Sequence, residues 1–117
     1  MAAPIIQFED VEIDLGKFEV RRAGRRVRLE KQPFDLLVLL LRKRGDLVLR
    51  KEIADSLWGP NVFVETDRSI NNAVRKIRLA LRDDPEHPRF IETVSGRGYR
   101  FIAAVSLSSE DQPESIS

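Results

Sequence analysis

Apolar residues change their spacing along this chain, and each change marks a new kind of element. From Val11 to Leu29 they recur at close to every second position: Val11, Ile13 and Leu15, then Phe18 and Val20, then Val27 and Leu29, with Ala23-Gly24 placed as a turn. A period of two puts alternate side chains on one face of a pleated ribbon, so the first thirty residues predict three or four short antiparallel strands. The stretch "PFDLLVLLLRKRG" then predicts a helix, with Pro33 in a first turn that tolerates it, a basic last turn and Gly45 as the stop. Its apolar residues run nearly all the way round, as expected of a helix buried between layers.

A second helix is predicted over about Arg50 to Trp58, ended by Gly59, with Ile53, Ala54, Leu57 and Trp58 on one side. Leu49 falls at its cap, where Ser, Thr or Asp would be better by about 1 kcal/mol. After the loop "GPNVFVET", a third helix is predicted from about Asp67 to Leu81, capped by Thr66 or Asp67 and stopped by "DDPEHP". The segments "RFIETV" and "YRFIAAV" read as two strands joined by Ser95 to Gly98, a hairpin. The final "SLSSEDQPESIS" has no core-forming periodicity, so residues 106–117 are expected to be a disordered tail or the start of a linker, and 1–105 the domain.

The glycines of "ETVSGRGYRF" raise the question of a phosphate-gripping nucleotide loop. Such a loop needs a helix after it to supply oriented N–H groups, and here an aromatic and β-branched strand follows instead. Composition narrows the chemistry further. A chain of 117 residues, 42% hydrophobic, is one domain's worth with a modest core. It has no cysteine, which excludes a disulfide framework, a thiolate metal site and a thiol nucleophile and suits a reducing, cytoplasmic setting. The single histidine, His87, sits in a loop without a second imidazole. Without paired carboxylates on a recognisable scaffold, neither a triad nor a metal centre can be assembled, so we expect no enzyme, no cofactor and no small-molecule substrate. The longest apolar run, Leu36 to Leu41, is six residues, against roughly twenty for a bilayer span, so membrane contact is not expected.

Net charge is only +1, but it is polarised. Residues 1–20 hold five acids against Lys17, a balance of 1 − 5 = −4, whereas residues 68–82 hold Arg68, Arg75, Lys76, Arg78 and Arg82 with no acid, a balance of +5. The arginines crowding the Ala23-Gly24 turn read first as a solvated edge that discourages strand aggregation, and second as another polyanion contact. In the third helix, Ile70, Val74, Ile77 and Leu81 fall on one stripe, with Ala73 and Ala80 beside it. The opposite side collects Arg68, Asn71, Asn72, Arg75, Lys76 and Arg78. Guanidinium and ammonium groups neutralise phosphates, and Arg, Lys and Asn also read base edges in a major groove. Leu79, on the same side, is aliphatic surface or a thymine-methyl contact. A short helix, a loop and then this basic helix is the order of a helix-turn-helix. Arg97, on a glycine-flanked tip, can approach a backbone or a narrow minor groove.

At these residues the chain resembles a known family. "SLWG", "DRSINNAVRKIRLAL" and "IETVSGRGYRF", in the order strands, three helices, hairpin, look like the carboxy-terminal effector domain of the OmpR/PhoB response regulators, over about residues 6–104. The resemblance implies an α+β fold, a winged helix-turn-helix with an amino-terminal antiparallel strand platform, three helices and a carboxy-terminal β-hairpin wing. It implies sequence-specific binding of double-stranded DNA in transcription regulation, the third helix in the major groove and the wing in the minor groove. Phosphate contacts are implied for Trp58, Arg68, Arg75, Arg78, Thr93 and Tyr99, with Ser69 on the same surface, and base reading for Asn71, Asn72 and Lys76, with Arg97 in the wing. For Trp58 and Tyr99 the competing reading is core packing, and for Thr93 simple strand formation. The resemblance also implies a head-to-tail dimer on tandem half-sites and contact with RNA polymerase through the loop 59–66. Ser95 stands where some relatives carry a larger or basic wing residue. The family commonly has a phospho-accepting receiver domain upstream, whereas here Met1 leads directly into the strands, which is closest to regulators with an amino-terminal DNA-binding domain, some continuing into a membrane span. The Ser-rich acidic end fits a truncation of such a protein. The competing function is a winged helix used for protein contact without DNA, with Val62 to Val64 as its footprint.

Overall fold

The computed structural model describes residues 4–59 and 66–109. In chain order the elements are β1 (Pro4–Phe8), β2 (Val11–Asp14), β3 (Glu19–Arg22), β4 (Arg25–Val27), α1 (Lys31–Arg42), β5 (Leu47–Leu49), α2 (Arg50–Trp58), α3 (Thr66–Leu81), β6 (Ile91–Val94), β7 (Gly98–Phe101) and β8 (Ser106–Ser109). They form two compact units, β1 to β4 with β8, and Leu29–Ala103.

The first unit is one antiparallel sheet in the order β4-β3-β2-β1-β8. Its alternating apolar side chains, Ile6, Phe8, Val11, Ile13 and Val20, are buried, as a period of two requires. The β3–β4 turn falls at Ala23 and Gly24, both with positive φ (54° and 79°), the geometry whose twist matches a tight hairpin. Two expectations fail here. Phe18, expected on the apolar face, lies in a turn at φ 53° and is 71% exposed. Ser106–Ser109, expected within a disordered tail, pair as β8 with β1, Leu107 opposite Ile6. Strand addition at a sheet edge uses backbone N–H and C=O groups, so a Ser-rich segment can do it without an apolar period. Residues 110–117 lie outside the described residues.

The second unit holds the three helices and a three-stranded sheet, β5-β7-β6. Helix α1 begins at Lys31, placing Pro33 in the first turn, where a missing N–H costs nothing. Phe34, Leu36, Leu37, Leu40 and Leu41 are buried, but Val38 and Leu39 are only half-buried, so the helix has a wide apolar face rather than burial all round. Gly45, at φ 88°, follows the helix, and its N–H donates to the Phe101 carbonyl at 2.9 Å. Strand β5 was not legible as a strand: three residues are too few to show a period, and its partner β7 lies about fifty residues away (Val48 opposite Tyr99).

Helix α2 runs over Arg50–Trp58 as predicted. Its cap residue Leu49 has no polar side chain, and Glu52 compensates in part by accepting the Leu49 N–H at 2.9 Å. That hydrogen bond, with the nearby Lys43 ammonium, holds the Glu52 carboxyl below the ordinary range. Helix α3 is already helical at Thr66, so neither Thr66 nor Asp67 is its cap, and the residues before Thr66 lie outside the described ones. It ends in a Schellman motif. Arg82 sits at φ 58°, its N–H donating to Leu79 O at 3.3 Å, and the Asp83 N–H reaches Arg78 O at 2.8 Å. A glycine usually marks that position, so its arginine concealed the motif.

Asp83, 8% exposed, is the charged residue buried among the described ones. Its carboxylate accepts the N–H groups of Arg89 (2.7 Å), Phe90 (3.2 Å) and Ile91 (2.9 Å), tying the end of α3 to the start of β6. Replacing Asp83 by Ala leaves those donors unpaired and is expected to cost about 3 kcal/mol. Asp83→Asn, which keeps one acceptor, should cost less; denaturant unfolding of both variants checks the order.

Candidate nucleic-acid interface

Helix α3 buries one stripe and opens the other. Ile70, Val74, Ile77 and Leu81 are at most 2% exposed, with Ala73 and Ala80 beside them. On the outer side Arg68, Asn71, Asn72 and Arg75 are exposed, Ser69, Lys76 and Arg78 are half-buried, and Leu79 stands 66% exposed. Trp58, at the last residue of α2, is half-buried. The β6–β7 hairpin carries Arg97 exposed at its tip and Thr93 exposed on β6, while Tyr99 on β7 is only 4% exposed.

The two glycines of the hairpin have different reasons. Gly96 lies at φ 73°, which closes the turn together with the Arg97 N–H to Val94 O bond at 2.9 Å. Gly98 faces β5 so closely that a Cβ there would sit 2.0 Å from the Val48 carbonyl oxygen. The Arg50 N–H then donates to Arg97 O at 3.1 Å, fastening the wing to the first residue of α2.

Several predicted contact residues are bonded inside the protein. Arg78 Nη2 donates to Ile91 O (2.8 Å) and Thr93 Oγ1 (2.9 Å), linking α3 to the first wing strand. Lys76 pairs with the Glu30 carboxylate at the start of α1. Arg75 reaches the neutral Asn72 amide at 3.3 Å, and so keeps its full charge outward. Asn71 and Tyr99 belong to a network centred on Arg50, which the sequence reading did not single out. Arg50 Nε donates to Asp67 Oδ1 (3.1 Å), Nη1 to the Tyr99 hydroxyl (3.1 Å), and Nη2 to both Asp67 O and Asn71 Oδ1 (each 3.0 Å). The Tyr99 hydroxyl donates in turn to Asn71 Oδ1 at 3.2 Å. Burial pulls the Arg50 pKa down, but the hydrogen bonds and charges of Asp67 and Tyr99 outweigh it and leave it raised. A cleft of about 330 Å³ borders this network along α3, lined in part by Arg75, Arg78 and Tyr99. Only the spacing of Arg50 to Asp67 across a helix-loop-helix could have hinted at the pairing. The loop residues 60–65, and with them the Val62 to Val64 footprint and most of the 59–66 loop, lie outside the described residues.

A helix-turn-helix followed by a two-stranded hairpin, with the exposed face of its last helix basic, defines a winged helix-turn-helix domain. The chain belongs to the family described as "Transcriptional regulatory protein, C terminal", whose profile matches residues 24–101. It is 37% identical over 100 residues to the transcriptional regulatory protein KdpE of Mycobacterium tuberculosis, covering 86% of this chain and 44% of the relative. It thus spans less than half the length of that curated relative. Among solved structures, the response regulator DrrB of Thermotoga maritima, an OmpR/PhoB homologue, matches with a TM-score of 0.75 at 34% identity, over 84% of this chain and 44% of that one. The DNA-binding domain of Klebsiella pneumoniae RstA, solved in complex with the RstA box, matches with a TM-score of 0.73 at 30% identity, over 84% and 96%. The family is one of transcriptional regulators, not of enzymes. The expected α+β winged helix-turn-helix fold is the one found.

The glycines give a direct check of the wing. Gly98→Ala forces β5 and β7 apart and is expected to cost about 2 kcal/mol or more, whereas Gly96→Ala, with nothing within 4 Å of its Cβ, should cost about 1 kcal/mol from backbone strain alone. Thermal unfolding of the two variants measures the difference.

Proposed function

We propose that this chain binds double-stranded DNA in a sequence-specific way to regulate transcription, with α3 in the major groove and the β6–β7 wing on the adjacent minor groove. The observation that carries it is the basic outer face of α3, free of acids from Arg68 onward, together with an exposed arginine on the wing tip, in a domain of a transcriptional regulatory family. In this reading Arg68 and Arg75 neutralise phosphates, with Ser69, Trp58 and Thr93 at the margin of the contact. Asn71, Asn72 and Lys76 face the bases, Lys76 after exchanging Glu30 for DNA, and Arg97 enters the minor groove. Arg78 and Tyr99 serve first to hold the wing and helix in place. Head-to-tail pairing on tandem half-sites, contact with RNA polymerase through residues 59–66 and a cytoplasmic location belong to the same proposal and follow from the family resemblance alone.

Fluorescence anisotropy on labelled random duplex across a salt series tests this reading. Binding should weaken with a log–log slope near −0.9 per neutralised phosphate, and Arg75→Ala with Arg97→Ala should flatten the slope by about 2. No binding at low salt, or a double variant with the parent slope, would show the basic face to be solvated surface only.

A further inference from the structure

Asn71 is exposed on the outer face of α3, yet one end of its amide is already committed. A guanidinium can only donate, so the Asn71 atom 3.0 Å from Arg50 Nη2 has to be the carbonyl oxygen. The Tyr99 hydroxyl accepts from Arg50 Nη1, which directs its own proton to the same oxygen at 3.2 Å. Both lone pairs of Oδ1 are then occupied, and the Nδ2 amino group is the end left for a ligand. Arg50 is itself held by Asp67 through a side-chain and a backbone oxygen, so the guanidinium plane is fixed before any partner arrives.

We propose that Arg50 is a positioning residue that locks the Asn71 oxygen inward and restricts Asn71 to donating, so that it selects an acceptor-rich base edge, guanine above all. This rests on the DNA-binding reading. Asparagine ordinarily recognises adenine by donating to N7 and accepting from N6 at once. With Oδ1 occupied, adenine offers a single contact, guanine offers N7 and O6 to the two Nδ2 protons, and cytosine presents a donor to a donor.

The test is enrichment of a randomised duplex library by the full chain, read by sequencing, with the Asn71 position identified as the one whose base frequencies change in Asn71→Ala. The wild type should favour guanine there over both cytosine and adenine. Arg50→Met, which keeps the stem and removes the donors, should raise the adenine-to-guanine ratio by about fivefold. Asn71→Asp keeps the inward bond to Arg50 and turns an acceptor outward, so it should switch the preference to cytosine by about tenfold without lowering the melting temperature. Tyr99→Phe, which frees one lone pair of Asn71 Oδ1, should raise the adenine-to-guanine ratio in the same direction and decides the matter if Arg50→Met fails to fold, an unchanged ratio overturning the positioning role. If the wild type enriches no duplex, the DNA reading falls and the inference with it. If a motif is enriched but the wild type prefers adenine or cytosine, or a folded Arg50→Met keeps the parent ratio, or Asn71→Asp keeps the parent base, the positioning role alone is overturned.

Discussion

Helix α2, helix α3 and the second wing strand meet at one guanidinium, that of Arg50. The arrangement matters because α2 has little else to hold it. Ile53 is its one fully buried residue, with Ala54, Leu57 and Trp58 half-buried and a leucine at its cap. Apolar burial therefore contributes less to the placement of α2 than to that of α1 or α3, and charge-assisted bonds from a rigid planar fork supply the orientation. A second arginine, Arg78, repeats the device one end of α3 away, where it joins the helix to Ile91 and Thr93 on the first wing strand. The buried Asp83 carboxylate closes the connection between them. The wing is thus seated on α3 by side chains as well as by its own sheet.

This division of labour separates the cations of α3 and the wing into those that build and those that are exposed. Arg78 is turned inward, and Lys76 is balanced by Glu30. Arg75 meets a neutral amide, and Arg97 is exposed at the wing tip. A polyanion then finds outward charge at two places joined by a stiff frame, so little conformational order has to be established on binding. The Asn71 amide oxygen is already bonded to Arg50 and Tyr99, so in the proposed contact its polarity is set by geometry rather than by residue type.

Much of this was legible in the sequence. The helix bounds of α2, the apolar stripe of α3 and the hairpin follow from period, glycine and aromatic signals that act over a few residues. What the sequence hid depends on distant partners or on exceptions to local rules. Strand β5 exists because β7 lies beside it, and β8 because the β1 edge is open. The Schellman end of α3 carries Arg82 where glycine is usual, and Phe18 left its apolar face because its turn takes a positive φ. The outer-face residues of the candidate site could be counted from helical spacing, but the inward engagement of Arg78, Tyr99 and Asn71 could not, since long polar side chains choose between solvent and partner according to what lies across the fold.

The central claim is that a preformed frame offers α3 and the wing tip together to DNA. The most direct measurement is a nitrogen–proton NMR titration of the chain with duplex DNA, following backbone amides, the Asn71 side-chain amide and the Arg50 guanidinium. We predict shifts concentrated at Arg68, Asn72, Arg75, Arg97 and the Asn71 side-chain amide, with the Arg50 Nε–H signal sharp and protected both before and after DNA is added. Perturbations confined to the β1–β4 sheet, or an Arg50 signal that is exchange-broadened in the free protein and appears only with DNA, would contradict the account.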